Sequence, residues 1–107
     1  MYKNIPKSEK LVLKDEITFQ PGQVVSKTLV QNDKVSMTLF SFDKGEEISS
    51  HSAAGDAMVT VLEGKGRFTV GGNVFFLSEG ETLIMPKDIP HAVYGEEPFK
   101  MLLVVSY

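Results

Sequence analysis

The chain has two histidines, His51 and His91, and no cysteine, so any imidazole chemistry belongs to these two residues. His51 lies in EEISSHSAAGDAMVTVLEGKG (Glu46 to Gly66) and His91 in GETLIMPKDIPHAVYG (Gly80 to Gly95). Imidazole ligates Zn, Fe, Ni and Cu and titrates near neutral pH, so metal binding, hydrogen bonding to a ligand and general base chemistry are all open to it. A tight metal site takes three or four protein ligands, and the lack of thiols leaves only carboxylates to add to the histidines. Glu46 and Glu47 precede His51 and read as solvated rim charges. Asp56 is the tempting carboxylate, but strand alternation points it opposite to Ala57 unless the Ala54-Gly55 turn is bulged. Tyr94 shares parity with Ala92 rather than His91 and is expected to face outward. Met85 reads as packing, since no second soft ligand accompanies it.

The segments that must carry these residues read as strands. No window has a helical period, whereas short runs of Val, Phe, Thr and Leu recur between Gly, Pro and Asn or Asp. Strands are expected near Leu11 to Leu13, Val24 to Val30, Val35 to Phe42, Glu47 to His51 and Ala57 to Glu63. Further strands follow near Gly66 to Val70, Asn73 to Leu77, Thr82 to Met85, His91 to Tyr94 and Phe99 to Ser106. GRFTVGGNVFFL marks a hairpin at Gly71-Gly72, because a two-residue loop requires positive φ. The regular rhythm of glycine corners points to an all-β sandwich or small barrel.

In the last strand, FKMLLVVSY, Met101, Leu103 and Val105 line one face and Leu102 and Val104 the other. A strand apolar on both faces is covered on both. The cover is either the N-terminal segment or a second copy of the chain, and the two are compatible.

At 107 residues there is one domain, large enough to bury a core. The net charge of −3 and the scattered basic residues give no footprint for nucleic acid or an anionic membrane. There is no signal-like apolar start and no run approaching the ~18 apolar residues of a membrane span. A soluble cytoplasmic protein is the expectation.

With the strands placed, the spacing of Gly45, His51, Gly64, Gly80, Pro86 and His91 resembles the cupin family. Its first motif reads Gly, five residues, His-x-His, three or four residues, Glu, six residues, Gly, and here Gly45, His51 and Gly64 fall in register. Its second reads Gly, five residues, Pro-x-Gly, two residues, His, three residues, Asn, and Gly80, Pro86 and His91 match. The resemblance covers roughly residues 35 to 105. It implies a double-stranded β-helix, the jelly-roll barrel, with residues 1–107 as one domain, 1–34 supplying N-terminal strands and a dimer contact, and 35–105 holding both motifs.

The departures matter as much as the matches. The family's second histidine position is Ala53 and its glutamate position Ala57. Asp88 stands where the second motif has glycine, which Asp tolerates because it can enter the left-handed region. The resemblance implies that His51 and His91 converge inside the barrel as a ligand-binding pair and an incomplete metal site. A divalent Zn, Ni, Fe or Mn would be held by two imidazoles and water, and no organic cofactor is indicated. The alanines leave an apolar pocket, with Val59, Val61, Ile84 and Phe side chains expected around it. The leading expectation is a cupin that binds a small organic ligand at His51 and His91 and forms a homodimer. The alternatives are a metal-free metabolite-binding or sensing module without catalysis, and a metal-free histidine-dependent isomerase or epimerase. Whether the protein is an enzyme stays open.

Overall fold

The computed structural model describes residues 1–107 as nine strands and one 3₁₀ turn. The strands are β1 (Val24–Gln31), β2 (Val35–Phe42), β3 (Glu47–His51), β4 (Asp56–Glu63), β5 (Lys65–Val70), β6 (Asn73–Ser78), β7 (Thr82–Met85), β8 (His91–Gly95) and β9 (Phe99–Ser106). They form two antiparallel sheets, one ordered β1-β2-β9-β4-β7 and the other β3-β8-β5-β6. This is the all-β double-stranded β-helix that the sequence led us to expect.

Alternation drives the packing. In β4, Ala57, Val59 and Val61 are buried while Asp56 and Met58 face out, the period of a strand with one face on a core. The inner faces of both sheets meet in one cluster that includes Phe42, Val59, Val61, Phe68, Phe99 and Met101. Phe42 and Phe99 stack with centroids 4.6 Å apart, and Phe68 meets Phe99 edge-on at 6.0 Å. Such pairs add about 0.5–1.5 kcal/mol each to the area they bury. Gly71 and Gly72 have φ of 55° and 88°, and the register closes on Val70 opposite Asn73, as a two-residue hairpin requires.

The expected strand at Leu11 to Leu13 does not form. Leu13–Glu16 is a 3₁₀ turn instead. Three apolar residues satisfy their backbone as a strand only if an edge is free beside them, and here the side chains are used differently. Leu13, Ile17 and Ile5 lie over the outer face of the five-stranded sheet, against Leu29, Leu39 and Leu102. The cover expected over part of the outer face of β9 is therefore supplied by the protein's own N-terminal segment. Lys100, almost fully buried, fastens that segment by donating from Nζ to the Lys14 carbonyl at 2.7 Å. Its ammonium also lies 3.7 Å from Glu63 and 5.0 Å from the Phe19 ring centroid.

Toward Met37 and Ile84 the outer face carries a different row. Met37 pairs with Val104, Val104 with Met58 and Met58 with Ile84 across four strands. Cross-strand partners share a face, and Met58 and Ile84 are 36% and 53% exposed. No helix of the protein is long and apolar enough to cross a membrane.

Candidate functional site: an imidazole pair at the mouth of an apolar cup

His51 ends β3 and His91 begins β8, and the two are direct cross-strand partners. Their ring centroids are 4.3 Å apart with planes at 69°. The pairing depends on an irregularity. Ile48 pairs with Val93, and the next partners are His51 and His91, so β3 carries one residue more than β8 over this interval. Side chains alternate faces, so with Ile48 facing the interior an unbroken strand would turn Ser50 inward and His51 outward. The extra residue is a β-bulge that reverses this parity. Ile48, His51, His91 and Val93 consequently all line one cavity.

Each imidazole is fixed by its own strand. His51 Nδ1 lies 2.9 Å from the Ser49 carbonyl and His91 Nδ1 lies 3.2 Å from the Ile89 carbonyl. A carbonyl oxygen only accepts, so both Nδ1 atoms carry the proton and donate. In a neutral ring Nε2 is then the unprotonated nitrogen, an acceptor or a metal ligand. His91 is 4% exposed, and burial lowers its pKa from the ordinary 6.5. The hydrogen bond to Ile89 opposes this shift, and the charge on His51 adds to it.

The cavity between the sheets has a volume of about 230 Å³. Its floor on the five-stranded sheet is a row in which Ser36 pairs with Val105, Val105 with Ala57 and Ala57 with Met85. Ala57 is 1% exposed and lines the cavity, as does Ala53. These two methyl groups stand where the resemblance places a histidine and a glutamate, and they leave the space open.

Asp56 points away, as alternation requires. It is exposed, and its carboxylate accepts the Lys87 amide at 2.8 Å. A second bond, from the Asp88 amide to the Ala53 carbonyl at 3.0 Å, ties the same two loops together beside the cavity mouth. Asp88 takes φ of 64°, the left-handed conformation expected of a residue at a glycine position. Glu46 and Glu47 do not line the cavity, nor does Tyr94, whose ring lies 4.2 Å from the Arg67 guanidinium. Met85 is a buried wall residue.

Three expected wall residues are elsewhere. Ile84 is 53% exposed on the outer face, because Ala57 pairs with Met85 and so fixes the inward parity of β7. Val59 and Val61 are fully buried but lie deeper in the core than the cavity. The wall is made instead by Phe40, Met101, Leu103 and Val105 with Ile48 and Val93. Two polar residues were also missed, Ser36 and Tyr107. Their hydroxyls are 3.4 Å apart, and the Tyr107 amide donates to the Lys34 carbonyl at 3.0 Å. The alternation of β9 carried the signal for its inner face, since Met101, Leu103 and Val105 were read there, but no local pattern links residues 36 and 107.

No group of three or more His, Cys, Asp or Glu side chains is placed to hold a metal ion. Two imidazoles do not make a complete protein-ligated metal centre. The residues present therefore do not fit the three-histidine, one-glutamate set carried by the two cupin motifs, of which this chain keeps His51 and His91.

Two packed antiparallel sheets with a histidine from each motif at the mouth of the cavity define a double-stranded β-helix barrel. The chain belongs to the cupin family: the family model described as a cupin domain matches residues 38–105. It is similar to the conserved SPY1581 protein of unknown function from Streptococcus pyogenes, at 45% identity and a TM-score of 0.96, covering 98% of this chain and 92% of that one. A cupin superfamily protein from Desulfitobacterium hafniense is 33% identical with a TM-score of 0.94, covering 99% and 97%. The chain also matches 46% of a cupin 2 conserved barrel domain protein from Leptotrichia buccalis, at 44% identity over 88% of this chain and a TM-score of 0.86. Among curated proteins nothing matches the chain.

Proposed function

We propose that this cupin binds a small organic molecule in the cup between its sheets, with His51 and His91 as the hydrogen-bonding anchors. The observation that carries this reading is the combination of two oriented imidazoles with a largely apolar cavity of about 230 Å³. Small-molecule sites are concave, largely apolar and hold a few placed polar groups.

A divalent Zn, Ni, Fe or Mn would find only the two Nε2 atoms as protein ligands, so its binding is proposed to be weak and completed by water. Histidine-dependent isomerisation has less support. Both Nδ1 atoms are bonded to backbone carbonyls, whereas a proton-shuttling histidine is usually oriented by a carboxylate. The proposed partner is a second copy of the chain, docked on the Met37, Val104, Met58 and Ile84 row.

The test is binding of toluene and phenol by calorimetry to metal-stripped protein, compared with Ala57→Leu. The larger side chain fills the cup, and affinity for both probes is expected to fall at least about tenfold. Equal affinity in a folded Ala57→Leu protein would place binding elsewhere and refute the proposal.

A further inference from the structure

The cavity lining contains no Asp, Glu, Lys or Arg. Its polar groups form two poles. At one, the Nδ1 protons of His51 and His91 are already donated to the Ser49 and Ile89 carbonyls, so both free nitrogens accept. At the other, the Ser36 and Tyr107 hydroxyls lie 3.4 Å apart and can each donate and accept. Ser36 reaches the cavity from the start of β2, and Tyr107 is held beside it by the hydrogen bond its amide donates to the Lys34 carbonyl. From Ser36 the register row continues as an apolar floor of Val105, Ala57 and Met85.

We infer that the cup selects an uncharged, single-ring molecule carrying two hydroxyl donors, one for the imidazole pair and one for Ser36 and Tyr107. This rests on the reading that the cup binds a small organic ligand. An anion would find no cation and only the Ser36 and Tyr107 hydroxyls as donors while the imidazoles are neutral. A cation would need a carboxylate, and none lines the cup. A hydroxyl donor suits an unprotonated Nε2, because burying that nitrogen against a purely apolar ligand leaves it without a partner. Size sets the ring count. A cavity of about 150 Å³ holds benzene, so about 230 Å³ holds one ring with substituents.

The experiment compares toluene, benzoate, phenol and hydroquinone by calorimetry or ligand-observed NMR at a pH near 8, after chelator treatment of the full chain. Phenol is expected to bind about fivefold more tightly than toluene, and benzoate at least about tenfold more weakly than phenol. Hydroquinone should exceed phenol, and Ser36→Ala with Tyr107→Phe should remove that excess, bringing the two affinities together. Benzoate binding as well as phenol would overturn the selection for uncharged donors, although the cup itself would stand. A hydroquinone advantage that survives the double substitution would overturn the second pole. Failure of all four probes to bind would overturn the cup reading and this inference with it.

Discussion

Restoring the two missing ligands is the sharpest check on the geometry of the cup. Ala53→His with Ala57→Glu returns the side chains that the first cupin motif has at these positions. Both alanines line the cavity with His51 and His91, and both have fixed backbones. Ala57 is paired on one side to Met85 and on the other to Val105, and the Ala53 carbonyl holds the Asp88 amide. The new side chains therefore enter the existing space of about 230 Å³ without a change of register.

Four-ligand structural zinc sites bind with about 10–16 kcal/mol. Half of such a set corresponds to about 5–8 kcal/mol, a Kd between about 0.2 mM and about 1 µM. Completing it should tighten zinc at least about 10³-fold. Without metal, the variant should lose about 1–3 kcal/mol of stability, because a carboxylate replaces a methyl group that is 1% exposed. Zinc should restore that loss, since binding to the folded state alone raises stability by mass action. The assay is competition against a chromophoric chelator, paired with thermal melts with and without zinc. A folded double variant whose zinc affinity stays within a few-fold of the parent would refute the convergence of these four positions. Adding His51→Ala to the variant must abolish the gain.

Two further outcomes follow from the same structure. Burial lowers the pKa of His91, so below about pH 6.5 the unfolded chain takes up a proton that the folded protein resists, and stability falls with falling pH. This contribution is intact above that pH, and the wild type should lose more melting temperature than His91→Gln between about pH 7 and about pH 5; superimposed profiles would contradict it. On the outer face, Met58→Glu with Ile84→Glu should convert the proposed dimer to a single chain in sedimentation equilibrium, whereas a wild-type protein of single-chain mass would refute the dimer.

Much of the fold is legible because alternation and punctuation agree. The strands Val35–Phe42, Glu47–His51, Thr82–Met85 and Phe99–Ser106 have the bounds their residues suggest. Ala57 and Asp56 divide between interior and solvent as their parity requires. Leu11 to Leu13 misleads because strand formation needs a partner edge, a tertiary condition that three apolar residues do not encode. Instead the Asp15 amide closes a local turn on the Val12 carbonyl. TLIM is ambiguous in a different way: Leu83, Ile84 and Met85 are consecutive and apolar, so their parity cannot be read until the pairing of Met85 with Ala57 sets it.

The site is legible where it obeys the alternation and hidden where it breaks it. His91 and Val93 are two apart and share a face by rule. Ile48 and His51 are three apart and share one only through the bulge, which costs a single residue and leaves no mark in composition. Had β3 stayed regular, its extended backbone would carry the same sequence, yet His51 would face away from His91 and the cup would hold one imidazole. The second pole is hidden for a related reason. Ser36 and Tyr107 are 71 residues apart in the chain and meet because β2 lies beside β9, with Val35 opposite Ser106. Motif spacing thus locates the histidines in the barrel, but the bulge aims one of them, and strand order brings in the hydroxyls. Those two features put two imidazoles and two hydroxyls on the lining of one cavity.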